Sequence, residues 1–257
     1  MTEIDLPLPP ARKFYFASDF HLGTPDEASS RERELRIIRW LDAAAADAAA
    51  IFLAGDLFDF WFEYSKAVPK GFTRFLGKLS ELTDRGIPVH IFTGNHDMWM
   101  SGYLEAECGV TVHTDPIVLK TANHRLLIGH GDGLGPGDVA YKRLKKVFTS
   151  PVAQFLFRWL HPDIGIALAM KWSRNSRLAN DAREEKFLGE EREFLLAWCR
   201  ETEQRIHHDF YIFGHRHLRL EIEVGPGSRY INLGEWVHFS TYAEYNGEHL
   251  QLKSFDK

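Results

Sequence analysis

Five times along the chain a short apolar run ends at glycine, acid or histidine. Phe14–Ala17 leads into Asp19-Phe20-His21, and Ala50–Ala54 into Gly55-Asp56. Val89–Thr93 leads into Gly94-Asn95-His96-Asp97, Arg125–Gly129 into His130-Gly131-Asp132-Gly133, and Phe210–Phe213 into Gly214-His215-Arg216-His217. Short apolar runs closed by such breakers read as buried strands. Residues two apart on extended backbone point the same way, so Asp19 and His21 are presented together at a strand tip. A carboxylate beside an imidazole is half of a divalent-metal site. Its echo at four further tips is the strongest constraint the sequence places on the fold.

Between these strands the periodicity changes. Leu35, Ile38 and Leu41 among charges predict an amphipathic helix over Glu32–Leu41, and Phe72, Phe75, Leu76, Leu79 and Leu82 predict another. The first third therefore reads β-α-β-α-β with parallel strands. Val110–His113, Ile117–Lys120 and Arg125–Gly129 follow as short strands. Tyr141 to about Arg205 reads as wholly helical. After Phe210–Phe213, the segments Leu220–Val224, Tyr230–Leu233, Ser240–Tyr245 and Leu250–Lys253 alternate between Gly-rich turns, as in a meander. Two packed sheets flanked by helices, an α/β (α+β) architecture, suit this order within one domain spanning 1–257, with residues 141–205 as a helical insert.

The chain has 257 residues, net charge −5 and only two cysteines, Cys108 and Cys199. These numbers favour a reducing compartment without a disulfide framework and argue against a wholesale nucleic-acid binder. Met1–Pro10 is acidic and Pro-rich, unlike a signal peptide, and no apolar run approaches the roughly 20 residues of a spanning helix. The expectation is a cytoplasmic protein that reaches a membrane only from that side.

The strand-tip residues Asp19, His21, Asp56, Asn95, His130, His215 and His217 are all oxygen or imidazole donors. That set suits Mn, Fe or Zn better than a structural thiolate site, and seven donors suit two ions sharing one carboxylate. Two ions about 3.5–4 Å apart favour in-line displacement at phosphorus. Taken singly each residue is ordinary: a lone buried histidine is more often hydrogen-bonded in a core, and a lone Gly-Asp is more often a turn. His113, His124, His161, His207, His208, His238 and His249 lack comparable context and read as structural.

In order, the motifs D-x-H, G-D, G-N-H-D, a later histidine and G-H-x-H resemble those of the calcineurin-like metallophosphoesterase superfamily across essentially the whole chain. The resemblance implies a metallophosphoesterase β-sandwich (αββα). It places Asp19, His21, Asp56 and His217 around one metal, and Asp56, Asn95, His130 and His215 around the other. Asp56 would bridge the two. It also implies that His96 stands beside the scissile phosphate, with Asp97 orienting its ring, and that the ions are Mn.

Leu57-Phe58-Asp59-Phe60-Trp61 and Gly131-Asp132-Gly133-Leu134, followed by Asp138 and Tyr141, resemble bacterial UDP-2,3-diacylglucosamine diphosphatases. Asn175-Ser176-Arg177-Leu178-Ala179-Asn180, with Arg183 three further on, resembles the nucleotide-binding cap segment of the same family. The resemblance assigns substrate contacts to Asn95, Asp138, Ser176, Asn180 and Arg183. It implies hydrolysis of a UDP-linked diacylated glucosamine to UMP and a sugar 1-phosphate, a step of lipid A biosynthesis. One branch of that family has Gly-Asn-Arg-Asp where this chain has Gly94-Asn95-His96-Asp97, so the division of labour at that position differs.

Tyr141–Arg183 holds nine Lys/Arg against two acids, +7 in a chain of −5. Val152, Phe155, Leu156, Trp159 and Leu160 form an apolar helical stripe among them. Basic residues beside aromatics suit an anionic bilayer, and the resemblance implies that this is the cytoplasmic face of a Gram-negative inner membrane. Packing of the stripe on the body is the plainer reading. No nucleic acid and no obligate protein partner is expected. The competing function is a soluble metallophosphoesterase acting on another nucleotide or a phosphoprotein.

Overall fold

A computed structural model describes residues 1–136, 139–184 and 186–255, and for residues 140 and 174–184 the backbone alone. The chain opens with β1 (Thr2–Asp5), β2 (Lys13–Ala17), α1 (Glu27–Ala44), β3 (Ala48–Leu53), α2 (Thr73–Asp84), β4 (Val89–Phe92) and α3 (Tyr103–Cys108). It continues through β5 (Thr111–His113), β6 (Ile117–Lys120), β7 (Arg125–Ile128), α4 (Val139–Phe148), α5 (Pro151–Arg158), α6 (Pro162–Glu184) and α7 (Phe194–Glu203). It closes with β8 (Phe210–Phe213), β9 (Arg219–Gly225), β10 (Ser228–Leu233), β11 (Thr241–Tyr245) and β12 (Leu250–Ser254).

The strands form two six-stranded mixed sheets, ordered β1-β6-β7-β8-β10-β9 and β12-β11-β2-β3-β4-β5. Strands β2, β3, β4 and β5 run parallel, as do β7, β8 and β10. Alternate side chains of each strand enter different cores. Phe14, Phe16 and Phe52 meet Ile128, Ile212 and Ile231 between the sheets. Tyr15, Ile51 and Leu53 face the other way, onto Ile37 and Trp40 of α1 and Leu79 of α2. Each fully buried side chain of this size contributes about 1.5–3 kcal/mol. Layering of this kind needs strands that are apolar on both faces, which accounts for their continuous rather than alternating hydrophobicity.

The helical stretch that follows β7 is not one body. Leu195, Leu196 and Cys199 of α7 are fully buried against Leu127, Tyr211, Phe213 and Tyr230, so this helix covers the outer face of the first sheet. Helices α4 to α6 stand apart from that core, with no fully buried side chain in α5. Phe148 and Phe157 attach them to the body. Phe157 lies against Phe62 and Trp99, with ring centroids 4.7 and 5.5 Å away. The Trp99 indole N–H donates to the Phe148 carbonyl at 2.8 Å. The stripe Val152, Phe155, Leu156, Trp159 and Leu160 does not pack on the body: all five are exposed, Trp159 by 76%.

Candidate metal centre

The turns after β2, β3, β4, β7 and β8 meet at one edge of the sandwich. Backbone hydrogen bonds join neighbouring tips: the Asp19 and His21 N–H groups donate to the Gly55 and Asp56 carbonyls at 3.0 and 2.9 Å, and Gly214 N–H to His130 O at 3.0 Å. Five of the sequence-selected residues, Asp19, His21, Asp56, His215 and His217, hold positive φ between 43° and 68°. Such backbone costs a non-glycine residue about 1–3 kcal/mol and concentrates where a site requires it. Gly94 and Gly214 give the carboxylates room. A Cβ on Gly94 would lie 2.1 Å from Asp56 Oδ1, and one on Gly214 would lie 2.4 Å from Asp19 Oδ2.

One donor group comprises Asp19, His21, Asp56 and His217, with one ligand-type atom from each within 4.8 Å of the others. His21 Nε2 and His217 Nε2 are 3.1 Å apart, and Asp19 Oδ1 is 3.2 Å from His217 Nε2. On the other side of Asp56, its Oδ2 lies 3.4 Å from His130 Nε2. His130 Nε2 and His215 Nδ1 converge on Asn95 Oδ1 at 3.1 and 2.9 Å. All seven sequence-selected donors are thus brought together, in two groups that share Asp56.

The electrostatics suit a cation. Burial alone would raise the Asp56 carboxyl, but the imidazoles of His130, His96 and His21 hold it well below the usual carboxylate range. Burial opposes charge on His130, yet Asp56 and Asp19 push its imidazole up to about 10. A proton there is positive charge that a divalent ion would supply instead. His130 Nδ1–H donates to the Ala54 carbonyl at 2.8 Å, which fixes the tautomer and turns Nε2 to the site. Burial, then the charge on His130, hold His215 down at about 4, the neutral form that metal ligation requires. The donor set and its geometry therefore fit oxygen- and nitrogen-ligated divalent ions.

Asp97 has a different task from the expected one. Its fully buried carboxylate accepts the backbone N–H of Gly94 and Leu57, both at 2.7 Å, and more distantly those of Asp56 and Phe58. Buried N–H groups of a tight turn need an acceptor, and Asp97 is the one at hand. It braces the turn carrying Asp56 and does not orient the His96 ring. Burial and the neighbouring Asp56 carboxylate raise it to about 7.

Asp59 and Ser173, neither selected from sequence, hold the His96 ring. His96 Nδ1 is 3.1 Å from the Asp59 carbonyl and 3.1 Å from Ser173 Oγ, and Ser173 Oγ–H donates to Asp59 Oδ1 at 3.2 Å. A carbonyl only accepts, so Nδ1 carries a proton there, and Nε2 is the ring nitrogen left for other partners. The one advance hint was a carboxylate, Asp59, inside the apolar run Leu57–Trp61. Asp138 lies outside the described residues, as do the side chains of Ser176, Asn180 and Arg183.

A sandwich carrying two groups of metal-type donors at its strand tips is the frame of a metal-assisted phosphoesterase. The calcineurin-like phosphoesterase family profile matches residues 12–219, and the chain belongs to that family. Among named relatives, UDP-2,3-diacylglucosamine hydrolase of Porphyromonas gingivalis is 37% identical over 258 residues, covering 95% of this chain and 98% of the relative. The proteins of the same name from Neisseria meningitidis serogroup B and Proteus mirabilis are 32% and 27% identical, covering 86% and 93% of this chain and 89% and 98% of their own. Among the described residues, no helix is long and apolar enough to cross a membrane.

Proposed function

We propose that this protein hydrolyses the pyrophosphate of UDP-2,3-diacylglucosamine, releasing UMP and 2,3-diacylglucosamine 1-phosphate. Two divalent ions, Mn by preference, would be held by Asp19, His21, Asp56 and His217 and by Asp56, Asn95, His130 and His215. When bound, such ions acidify a water and neutralise phosphate oxygens. The chain's own residues do the rest. Asp56 sits between the two donor groups and fixes their separation. Asn95 would turn Oδ1 to the ion together with His130 Nε2 and His215 Nδ1, which leaves its amide N–H₂ as a donor to a phosphate oxygen. His96, steadied at Nδ1–H, would present Nε2 to the phosphate and, when Nε2 also carries a proton, donate it to the leaving oxygen.

The observation that carries the lipid substrate is the exposed apolar face of α4 to α6 beside this centre. Leu156, Trp159, Ile164, Leu168 and Trp172 are each more than half exposed, among basic residues that include Arg143, Arg158 and Lys171. Each acyl methylene buried there contributes about 0.8 kcal/mol, and each basic residue near an anionic surface about 1 kcal/mol. We read α4 to α6 as a cap that receives the acyl chains at the cytoplasmic face of the inner membrane, with Asp138, Ser176, Asn180 and Arg183 contacting the polar part of the substrate. Incubation of the pure protein with Mn and UDP-2,3-diacylglucosamine should release UMP. Chelation should stop release, and Mn should restore it. Asp56→Ala, which removes the shared carboxylate, should cost more activity than any other single ligand change. Full activity in metal-free protein contradicts the reading.

A further inference from the structure

A cavity of about 460 Å³ lies between the tips of β4 and β5, the turn after β7 and helix α4. Its volume falls within the roughly 300–1,000 Å³ of small-molecule sites. His130 stands in its wall with Thr93, His113, Lys142, Lys145 and Lys146. The cavity therefore borders the metal centre at His130, and its charge is positive. Lys145 Nζ pairs with the buried Asp132 carboxylate at 2.6 Å, so those two charges cancel. Lys142 Nζ donates to the Gly135 carbonyl, which neutralises nothing. Lys146 is exposed and makes no ion pair among the described residues. Asp115, the other acid in the lining, is exposed at the rim. His113 contributes a flat ring, stacked on Phe92 with centroids 5.0 Å apart.

We infer that this cavity is the subsite for the nucleoside monophosphate half of the substrate, an inference that rests on the pyrophosphatase reading above. The phosphate lies at the His130 end, with Lys142 and Lys146 matching its charge, and the ribose and base extend towards Thr93 and His113. An acyl chain gains nothing from ammonium groups, whereas a phosphorylated nucleoside gains charge-assisted hydrogen bonds. The substrate is then divided across the metal centre, with its lipid half on the apolar helices and its nucleotide half beneath the lysines of α4. Lys142 and Lys146 become binding residues for its phosphate.

Calorimetric titration of full-length, Mn-loaded protein with UMP tests this directly. Wild type should bind UMP, and Lys142→Ala/Lys146→Ala should weaken it by at least about tenfold, the loss expected for charge-assisted contacts. Lys142→Arg/Lys146→Arg, which keeps the charge, should stay within about threefold of wild type. Titration with inorganic phosphate separates nucleotide recognition from general anion attraction: wild type should bind UMP at least about tenfold more tightly than phosphate. Unchanged UMP affinity in the alanine variant overturns the subsite, and equal wild-type affinities for phosphate and UMP overturn its assignment to a nucleotide. Both lysines lie on the surface of α4, and an unaltered thermal midpoint verifies folding. UMP release from UDP-2,3-diacylglucosamine is measured alongside in wild type. If release occurs and the alanine variant binds UMP normally, only the subsite falls; if release is absent, both readings fall.

Discussion

His96 is the residue whose chemistry the structure specifies most closely. Its backbone N–H donates to Asp56 Oδ1 at 2.9 Å, and its ring stands edge-on to His21 with centroids 5.0 Å apart. It thus contacts the central carboxylate without being one of the seven donors. Removing it should lower kcat by about 10²–10⁴, the usual span for a proton-transferring or charge-stabilising group, while bound metal measured by elemental analysis stays at the wild-type level. Unchanged turnover in His96→Ala would make the ring structural. The convergence of these seven oxygen and imidazole residues was legible because each follows an apolar strand, with Asp56, Asn95, His130 and His215 directly beside a glycine. Asp59 was not, because its neighbours Phe58, Phe60 and Trp61 belong to the core and the cap contact, and only the fold turns its carboxylate towards His96. Asp97 was misread because sequence shows adjacency to His96 and hides four N–H groups turned inward from two loops.

At the scale of elements, α5 shows how periodicity identifies a helix without saying what its apolar face meets. The five-residue stripe is real, and the structure turns it outward, while Phe157 reaches the body. Trp159→Asp or Phe155→Asp should therefore leave the thermal midpoint nearly unchanged, since a surface substitution falls within about ±0.5 kcal/mol. Turnover of the diacylated substrate should fall in both variants more than turnover of an unacylated UDP-sugar. A drop in midpoint of many degrees with equal losses on both substrates would show that the stripe is a packed face. Strand β4 carries a different kind of prediction. His90 is buried and stacked on Phe52 with centroids 4.9 Å apart, and burial, then His113, hold its imidazole down at about 4. The folded value lies below the unfolded value of about 6.5, so the unfolded chain takes up the proton first and stability is lost as pH falls between the two. At about pH 5 the loss from this one group is about 2 kcal/mol. Denaturant titrations of His90→Phe should show correspondingly less decline from about pH 7 to about pH 5; identical slopes would exclude His90 as the source.

On the scale of the whole molecule, the chain joins a two-sheet sandwich to a helical cap with an outward apolar face. The sandwich was legible almost strand by strand, because strands buried on both faces are continuously apolar and closed by turn residues. Strand β1 escaped notice because Thr2–Asp5 is a mostly exposed edge with no apolar signal, held by parallel pairing to β6. Helix α7 was read into the cap because helical periodicity is the same whether the apolar face meets a sheet or a substrate. The central claim is that the metal centre and the outward apolar face of the cap act on one molecule. It is tested most directly by kcat/KM of the Mn-loaded protein for UDP-2,3-diacylglucosamine against the same nucleotide sugar without acyl chains. A preference of at least about 100-fold for the diacylated substrate is expected, since a few buried methylenes at about 0.8 kcal/mol each already supply that ratio. Equal values for the two would contradict the account and leave a soluble phosphoesterase in its place.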